Sequence, residues 1–147
     1  LVGHARLGLA LRTPICLDES LKSASHARQV VDLEGPKVWN IKVHRVGGLT
    51  EVCRIYRIAA AYGALLWAGT MPESGIGSQA ALAVAALPLC VYPSDLEPST
   101  RWYGRNRDVI KLSMGPDGRM AVPHQSVARL LDQRRFRAAT NANPLLG

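Results

Sequence analysis

The 147-residue chain is poor in cysteine and aromatic residues and has no long apolar run. Its three cysteines, Cys16, Cys53 and Cys90, are odd in number and far apart, which argues against a disulfide framework and matches no zinc-binding spacing. No apolar run reaches the ~18 to 20 residues needed to cross a bilayer. These absences predict a protein of the reducing cytoplasm, without a membrane partner.

The first residues also show no sign of a secretory leader. No basic segment precedes an apolar segment and a small-residue cleavage site. The chain starts at Leu1 rather than at methionine, and Leu-Val-Gly-His is typical of the middle of a helix. We therefore expect an incomplete chain.

The chain does have enough apolar residues for a buried core. Hydrophobic residues make up 48% of the sequence, which argues against disorder, and its length corresponds to roughly one domain. The net charge of +7 raises the question of nucleic-acid binding. The excess is spread along the chain, however, apart from one concentration at Arg129, Arg134, Arg135 and Arg137. A solvated basic tail is the preferred interpretation, and no nucleic-acid partner is predicted.

Short apolar runs alternate with helical patterns over residues 1–95. Such alternation implies an α/β fold with parallel strands in sequence order, joined by right-handed crossovers. The predicted strands are residues 14–18, 38–43, 65–68 and 89–92, and the predicted helices are residues 23–33, 49–62 and 78–86.

The pattern changes after residue 95. Residues 109–122 predict a hairpin with Gly115-Pro-Asp-Gly118 as its turn. Residues 126–137 predict either a short helix or an irregular tail. We therefore divide the chain into residues 1–95, the strand–helix part, and residues 96–147, a following segment.

Polar side chains stand at the carboxyl end of each predicted strand, where parallel α/β folds place their chemistry. Asn40 and Lys42 are two positions apart on one strand and therefore point to the same face. A lysine directed into a protein interior requires a partner, which Asp18 or Glu19 on the neighbouring strand could supply. A structural ion pair and a functional pair are equally good interpretations of this pattern.

Several segments resemble the muconate-lactonizing subgroup of the enolase superfamily, and within it the o-succinylbenzoate synthases and N-acylamino acid racemases. Thr-Pro-Ile-Cys-Leu-Asp-Glu-Ser at residues 13–20 is similar to the fifth strand of that family. Asn-Ile-Lys and Arg-Val-Gly-Gly, both within residues 40–48, are similar to the sixth. Residues 69–77 resemble the loop after the seventh strand, and residues 92–103 contain parts similar to the passage after the eighth. The resemblance extends over about residues 1–123.

This resemblance implies the C-terminal half of a (β/α)7β TIM-like barrel, with four parallel strands, their helices and a C-terminal hairpin or tail. The tail would return toward a capping domain that is absent from this chain. The family's paired lysines and other metal ligands would lie upstream of Leu1, so the chain is expected to carry part of the site and to be inactive alone. The interior face of the half barrel would carry Ile15, Ile41, Leu66 and Val91.

The resemblance also implies roles for individual residues. Lys42 would be the acid/base on one face of the substrate's α-carbon. Asp18 would be a ligand of Mg²⁺ or Mn²⁺, which holds the substrate carboxylate and stabilises an enediolate. For Glu73, a role at the N-terminus of the following helix is an equal alternative to substrate binding. The substrate-binding residues would be Gly69, Thr70, Met71 and Glu73, and the supporting residues would be Glu19, Asn40, Arg45 and Asp95.

The implied function is α-proton abstraction from a small-molecule carboxylate. It would serve either the dehydration that makes o-succinylbenzoate for menaquinone biosynthesis or the racemisation of N-acylamino acids. Muconate cycloisomerase-like and dipeptide epimerase-like enzymes are alternatives, and an inactive fragment or association module is the alternative of another class. A homo-oligomer is expected for the complete form. The chain departs from the family pattern in Val43-His44, where relatives often have Pro-Gly, and in residues 124–128, which replace a glycine-rich stretch.

Overall fold

The computed structural model describes residues 1–103, 108–126, 129 and 132–141. The chain divides into two compact units. The first unit contains Leu1–Gly69 and Val84–Asp95, and the second contains Thr70–Ala83 and Leu96–Gly147. Within the described ranges, no helix has the length and apolar character required to cross a membrane.

A three-stranded parallel sheet in the order β1-β2-β3 lies in the first unit. The strands are β1 (Cys16–Leu17), β2 (Val38–Ile41) and β3 (Leu65–Ala68). Leu17 lies opposite Trp39, and Trp39 lies opposite Leu66. The predicted parallel order is confirmed for these three strands, and the chain is of the α/β class.

Helices follow the strands in the positions that the sequence predicts. The helix over residues 49–62 is confirmed at both ends, and the fourth helix begins at Gly75 rather than at residue 78. The tail contains a helix that starts later than predicted, and residues 127, 128, 130 and 131 of that prediction lie outside the described residues. The helices are α1 (Val2–Ala10), α2 (Ala24–Asp32), α3 (Leu49–Tyr62), α4 (Gly75–Ala85), α5 (Thr100–Tyr103) and α6 (Gln133–Asn141).

The ends of α2 and α3 have clear local causes. Ser23 caps α2, because its hydroxyl accepts a hydrogen bond from the His26 amide at 3.2 Å. The Glu51 carboxylate of α3 accepts a second one from the Ala24 amide at 2.7 Å. The α3 helix ends at Gly63, whose φ of 73° is left-handed and strained for residues with a Cβ.

One face of the sheet is fully buried against the helices. Trp39 stacks on Tyr62 of α3 with ring centroids 6.1 Å apart, and its Nε1 donates to the Pro36 carbonyl at 2.7 Å. Ile41 and Leu66 share this face, because Ile41 is two positions from Trp39 and Leu66 lies opposite it. The expectation that Ile41 and Leu66 line the barrel interior is therefore wrong.

The opposite face of the sheet carries the side chains that alternate with the buried ones. Leu65 is 37% exposed there, and Trp67 is half-buried. Trp67 Nε1 donates to Cys16 Sγ at 3.0 Å across the sheet. This face carries Asn40 on the central strand, and Lys42 follows directly beyond the end of β2.

The prediction of a fourth strand over residues 89–92 is wrong. Residues 89–92 form a single parallel bridge, between Leu66 and Cys90. The Cys90 amide donates to the Leu87 carbonyl at 2.9 Å, so a turn still occupies the chain up to this point. Pro93 then has no amide to donate, and the next backbone bond beside β3 comes only from the Asp95 amide, so the pairing is interrupted.

The second unit has its own small core of Leu82, Val109, Ile110 and Leu112. The predicted turn is present, because the Gly118 amide donates to the Gly115 carbonyl at 3.0 Å. The strands of the predicted hairpin are reduced to one antiparallel bridge between Met114 and Met120 among the described residues. Residues 109–112 contribute to the core of this unit instead of extending the ladder.

Candidate functional site

Asp18, Lys42 and Arg45 form a charged cluster at the carboxyl ends of β1 and β2. Lys42 Nζ donates to Asp18 Oδ2 at 3.1 Å, and Arg45 Nη1 donates to Asp18 Oδ1. Both cations are largely buried, with 12% of the Lys42 side chain and 11% of the Arg45 side chain exposed, whereas Asp18 is 35% exposed. The sequence left Asp18 and Glu19 open as partners of Lys42, and the structure selects Asp18.

The parallel register and a tight turn explain how these side chains meet. Leu17 lies opposite Trp39, so the next residues, Asp18 and Asn40, fall beside each other. Beyond β2 the chain turns, with the Gly48 amide donating to the Val43 carbonyl at 2.8 Å. That turn brings Arg45 back over the strand, where its Nη2 donates to the Asn40 carbonyl at 2.6 Å.

The two cations determine the charge state of Asp18. Partial burial by itself raises the pKa of the Asp18 carboxyl, but hydrogen bonds and charge from Lys42 and Arg45 outweigh it and leave the pKa below its usual value. Asp18 is therefore a carboxylate at neutral pH. The cluster therefore combines one negative charge, on Asp18, with the two cations Lys42 and Arg45.

Acidification is expected to remove the stabilisation that Asp18 provides. Its folded-state pKa lies below the ordinary value of 3.8, so this contribution is complete above that value and is lost as the pH falls through the lower folded pKa. Urea unfolding of the full-length protein between about pH 6 and pH 2 measures the effect. The Asp18→Asn variant should show a shallower loss of stability in the acidic part of the range. Equal losses in both proteins would contradict the assignment.

Asn40 is the most unusual polar residue of the first unit. Its side chain is fully buried, and neither its Oδ1 nor its Nδ2 has a hydrogen-bond partner among the described residues. Leaving a buried polar group unpaired costs about 1 to 3 kcal/mol. Gly69 lies against this amide, since a Cβ on Gly69 would stand 2.6 Å from Asn40 Oδ1 and 2.9 Å from Lys42 Cε. Glycine is therefore required at residue 69 by the close approach of both side chains.

The loop after Gly69 belongs to the second unit and is held by its own contacts. Thr70 Oγ1 donates to Glu73 Oε1 at 2.9 Å. Glu73 also lies against the first turn of α4, where a Cβ on Gly77 would stand 2.5 Å from its Oε2. These contacts fit a role of Glu73 at the N-terminus of this helix. Met71 is 44% exposed.

The remaining predicted supporting residues are exposed. Glu19 follows Asp18 and is exposed, with no part in the charged cluster. Asp95 is exposed as well, but its backbone amide donates to the Ala68 carbonyl at 3.0 Å, and Asp95 forms a parallel bridge with Gly69. Its backbone thus fixes the chain beside the end of β3.

The described residues supply at most one ligand of a metal site. Asp18 is a hard oxygen donor of the type that Mg²⁺ prefers, placed at a strand end. No group of three or more His, Cys, Asp or Glu side chains within the described parts of the chain is arranged to hold a metal ion. Asp18 fits one ligand position, and the other ligands would have to come from outside these residues.

Two contacts could not be predicted from the sequence with any precision. The direct bond between Arg45 and Asp18 depends on the turn after β2, which the adjacent Gly47 and Gly48 indicate without specifying its direction. The contact between Trp67 and Cys16 joins residues 51 positions apart and had no sequence signal. In the second unit, Asp108 accepts the Gly75 amide at 2.8 Å and thereby starts α4 before the predicted residue.

Fold and site together define a class of protein. Parallel strands in sequence order, with an acid–lysine pair at their carboxyl ends, are typical of part of a TIM-type α/β barrel. Residues 1–126 match the family described as enolase C-terminal domain-like. The chain belongs to this family.

Similar proteins agree with this assignment. The chain is 39% identical over 122 residues to an N-succinylamino acid racemase of Amycolatopsis sp, covering 83% of the chain and 33% of that protein. It is 44% identical over 110 residues to an o-succinylbenzoate synthase of Geobacillus stearothermophilus, covering 75% of the chain and 29% of that protein. A solved structure of a probable mandelate racemase from Alicyclobacillus acidocaldarius superposes with a TM-score of 0.83 at 35% identity. The match covers 93% of the chain and 36% of that structure. The chain thus spans about a third of the length of these relatives.

Proposed function

We propose that the protein in its full encoded length removes the α-proton of a small carboxylate substrate, with Lys42 as the proton-transferring group. The observation that carries this proposal is the cluster of Asp18, Lys42 and Arg45 at the carboxyl ends of two adjacent parallel strands. A purely structural ion pair needs one cation for one carboxylate. Here two largely buried cations converge on one partly exposed carboxylate, which leaves surplus positive charge for an anionic partner.

The chemistry of the cluster divides between its residues. Lys42 takes or returns the proton, Arg45 holds Asp18 in place, and Asp18 occupies one ligand position for Mg²⁺ or Mn²⁺. When bound, the metal would hold the substrate carboxylate and offset the negative charge that develops as the proton leaves. Gly69, Thr70, Met71 and Glu73 are proposed to contribute to substrate binding. Residues 96–147 are proposed to return toward a further domain of the full-length protein.

The substrate class is proposed from the relatives. Their names point to N-succinylamino acids and to the o-succinylbenzoate precursor, and both reactions begin with removal of an α-proton. We propose N-succinylamino acids as substrates, with the dehydration as the second candidate. Both substrates are dicarboxylates, which suits the positive surplus of the cluster.

Isotope exchange tests the proposed function directly. The full-length protein with Mg²⁺ should replace the α-hydrogen of N-succinyl-L-phenylalanine with deuterium in D2O, as measured by proton NMR, and should racemise it in polarimetry. A matched assay follows the loss of the o-succinylbenzoate precursor by its absorbance. A folded protein that acts on neither substrate would contradict the proposal and favour a cycloisomerase-like or epimerase-like reaction, or an association module.

A further inference from the structure

Asn40 has a buried amide that the proposed function does not yet use. Its side chain is fully buried, and both of its polar atoms lack partners among the described residues. Folded proteins pair nearly all such groups, so an unpaired amide requires a specific explanation. Packing alone does not supply one, because an aliphatic side chain of similar size would fill the same space without unpaired atoms.

The surroundings of this amide point to Lys42. Asn40 lies on β2, and Lys42 follows two positions later, directly beyond the end of the strand. They also border a common point beside Gly69, since a Cβ there would stand 2.6 Å from Asn40 Oδ1, 2.7 Å from Asn40 Nδ2 and 2.9 Å from Lys42 Cε. The Lys42 nitrogen is one bond beyond that Cε. An amide acceptor and an amine donor are thus neighbours, although the amine donates to Asp18 instead.

We propose that Asn40 is a positioning residue that accepts a hydrogen bond from the Lys42 amine during proton transfer. This inference rests on the proposed function. If Asp18 held a metal ion, its oxygens would be less available to Lys42, and the amine would need a second acceptor. A neutral amine has two N–H donors and one lone pair. A bond from one donor to Asn40 Oδ1 fixes the direction in which the lone pair meets the substrate.

Two variants separate positioning from packing. Asn40→Leu keeps the approximate volume and removes the acceptor, whereas Asn40→Ala removes the acceptor and the volume together, so an effect shared by both variants follows from the acceptor. Ile41→Val is the matched control, because it trims the neighbouring residue on the opposite face of the same strand. Melting temperature and circular dichroism report on folding for each variant.

The readout is α-proton exchange in D2O, measured separately for N-succinyl-L-phenylalanine and N-succinyl-D-phenylalanine with the full-length protein. Lys42 acts on one face of the α-carbon, so misplacing it should slow exchange of one enantiomer by about 10-fold to 100-fold. Exchange of the other enantiomer should change by less than about threefold, because it depends on a group on the opposite face. The control should lower the melting temperature without this asymmetry.

Each outcome decides the inference. Equal slowing of both enantiomers in Asn40→Leu and Asn40→Ala, or no slowing in either variant, would overturn the inference and leave Asn40 a structural residue. If Asn40→Leu does not fold, the Asn40→Ala variant alone decides. An unaltered protein that exchanges neither enantiomer overturns the proposed function itself, which distinguishes the two failures.

Discussion

Replacement of Lys42 by alanine is expected to slow α-proton removal by about 100-fold to 10,000-fold, the usual contribution of a general acid–base group. The fold should survive, because Asp18 keeps its bond to Arg45 and the Lys42 side chain lies outside the helix-facing core. Deuterium exchange of the substrate and a thermal melt of the full-length protein measure the two effects. The expected pattern is a large loss of rate with a small change in melting temperature.

Lys42→Arg is the matched control for this experiment. The arginine side chain keeps a cation beside Asp18, but a guanidinium does not give up its proton under these conditions. The rate should therefore fall about as far as in Lys42→Ala, while the ion pair persists. An active Lys42→Arg variant would mean that Lys42 contributes charge alone, and near-normal exchange by Lys42→Ala would refute the proposed role.

Replacement of Asp18 by asparagine should have two separate effects. Mg²⁺ binding to the full-length protein, measured by calorimetric titration, should weaken at least tenfold, because a charged ligand is replaced by a neutral one. The free energy of unfolding should also fall by about 1 to 2 kcal/mol, since Lys42 and Arg45 lose their charged acceptor. A fully buried ion pair would contribute more, but the Asp18 side chain is 35% exposed and solvent screens its interactions.

Glu19→Gln provides the control for Asp18→Asn. Glu19 is the adjacent, exposed carboxylate, so this variant makes the same change in net charge without touching the cluster. It should leave both unfolding and Mg²⁺ affinity nearly unchanged. If Asp18→Asn unfolds more easily but binds Mg²⁺ as tightly as the unaltered protein, Asp18 is a structural partner of the two cations and the metal role is wrong.

A double-mutant cycle measures how much the bond between Asp18 and Arg45 contributes to the free energy of unfolding. Arg45→Met removes the guanidinium and keeps much of the side-chain volume. The combined Asp18→Asn and Arg45→Met variant should lose less stability than the sum of the single variants, because each removes the same interaction. Additive losses would mean that the bond between Asp18 and Arg45 contributes little to folding.

The sequence by itself determined the order of elements and the strand ends that carry chemistry. The apolar run that ends in Asp18 and the run that contains Lys42 imply neighbouring parallel strands. In the structure, Lys42 Nζ lies 3.1 Å from Asp18 Oδ2. The helix predicted over residues 49–62 ends there in the structure, because Gly63 adopts the left-handed conformation that favours glycine for local steric reasons. Such features depend on spacing along the chain, which the sequence states directly.

The tertiary structure alone decided which face is buried and which partners the charges have. Alternation along the chain separates Ile41 from Lys42 but does not say which of the two sides meets the helices. The contact between Trp39 and Tyr62 decides it. Likewise, Asp18 and Glu19 are equivalent carboxylates in the sequence, and only the register of β1 against β2 directs Asp18 toward Lys42. The unpaired amide of Asn40 beside Gly69 has no sequence signal, because it follows from the distance between two strands rather than from either one.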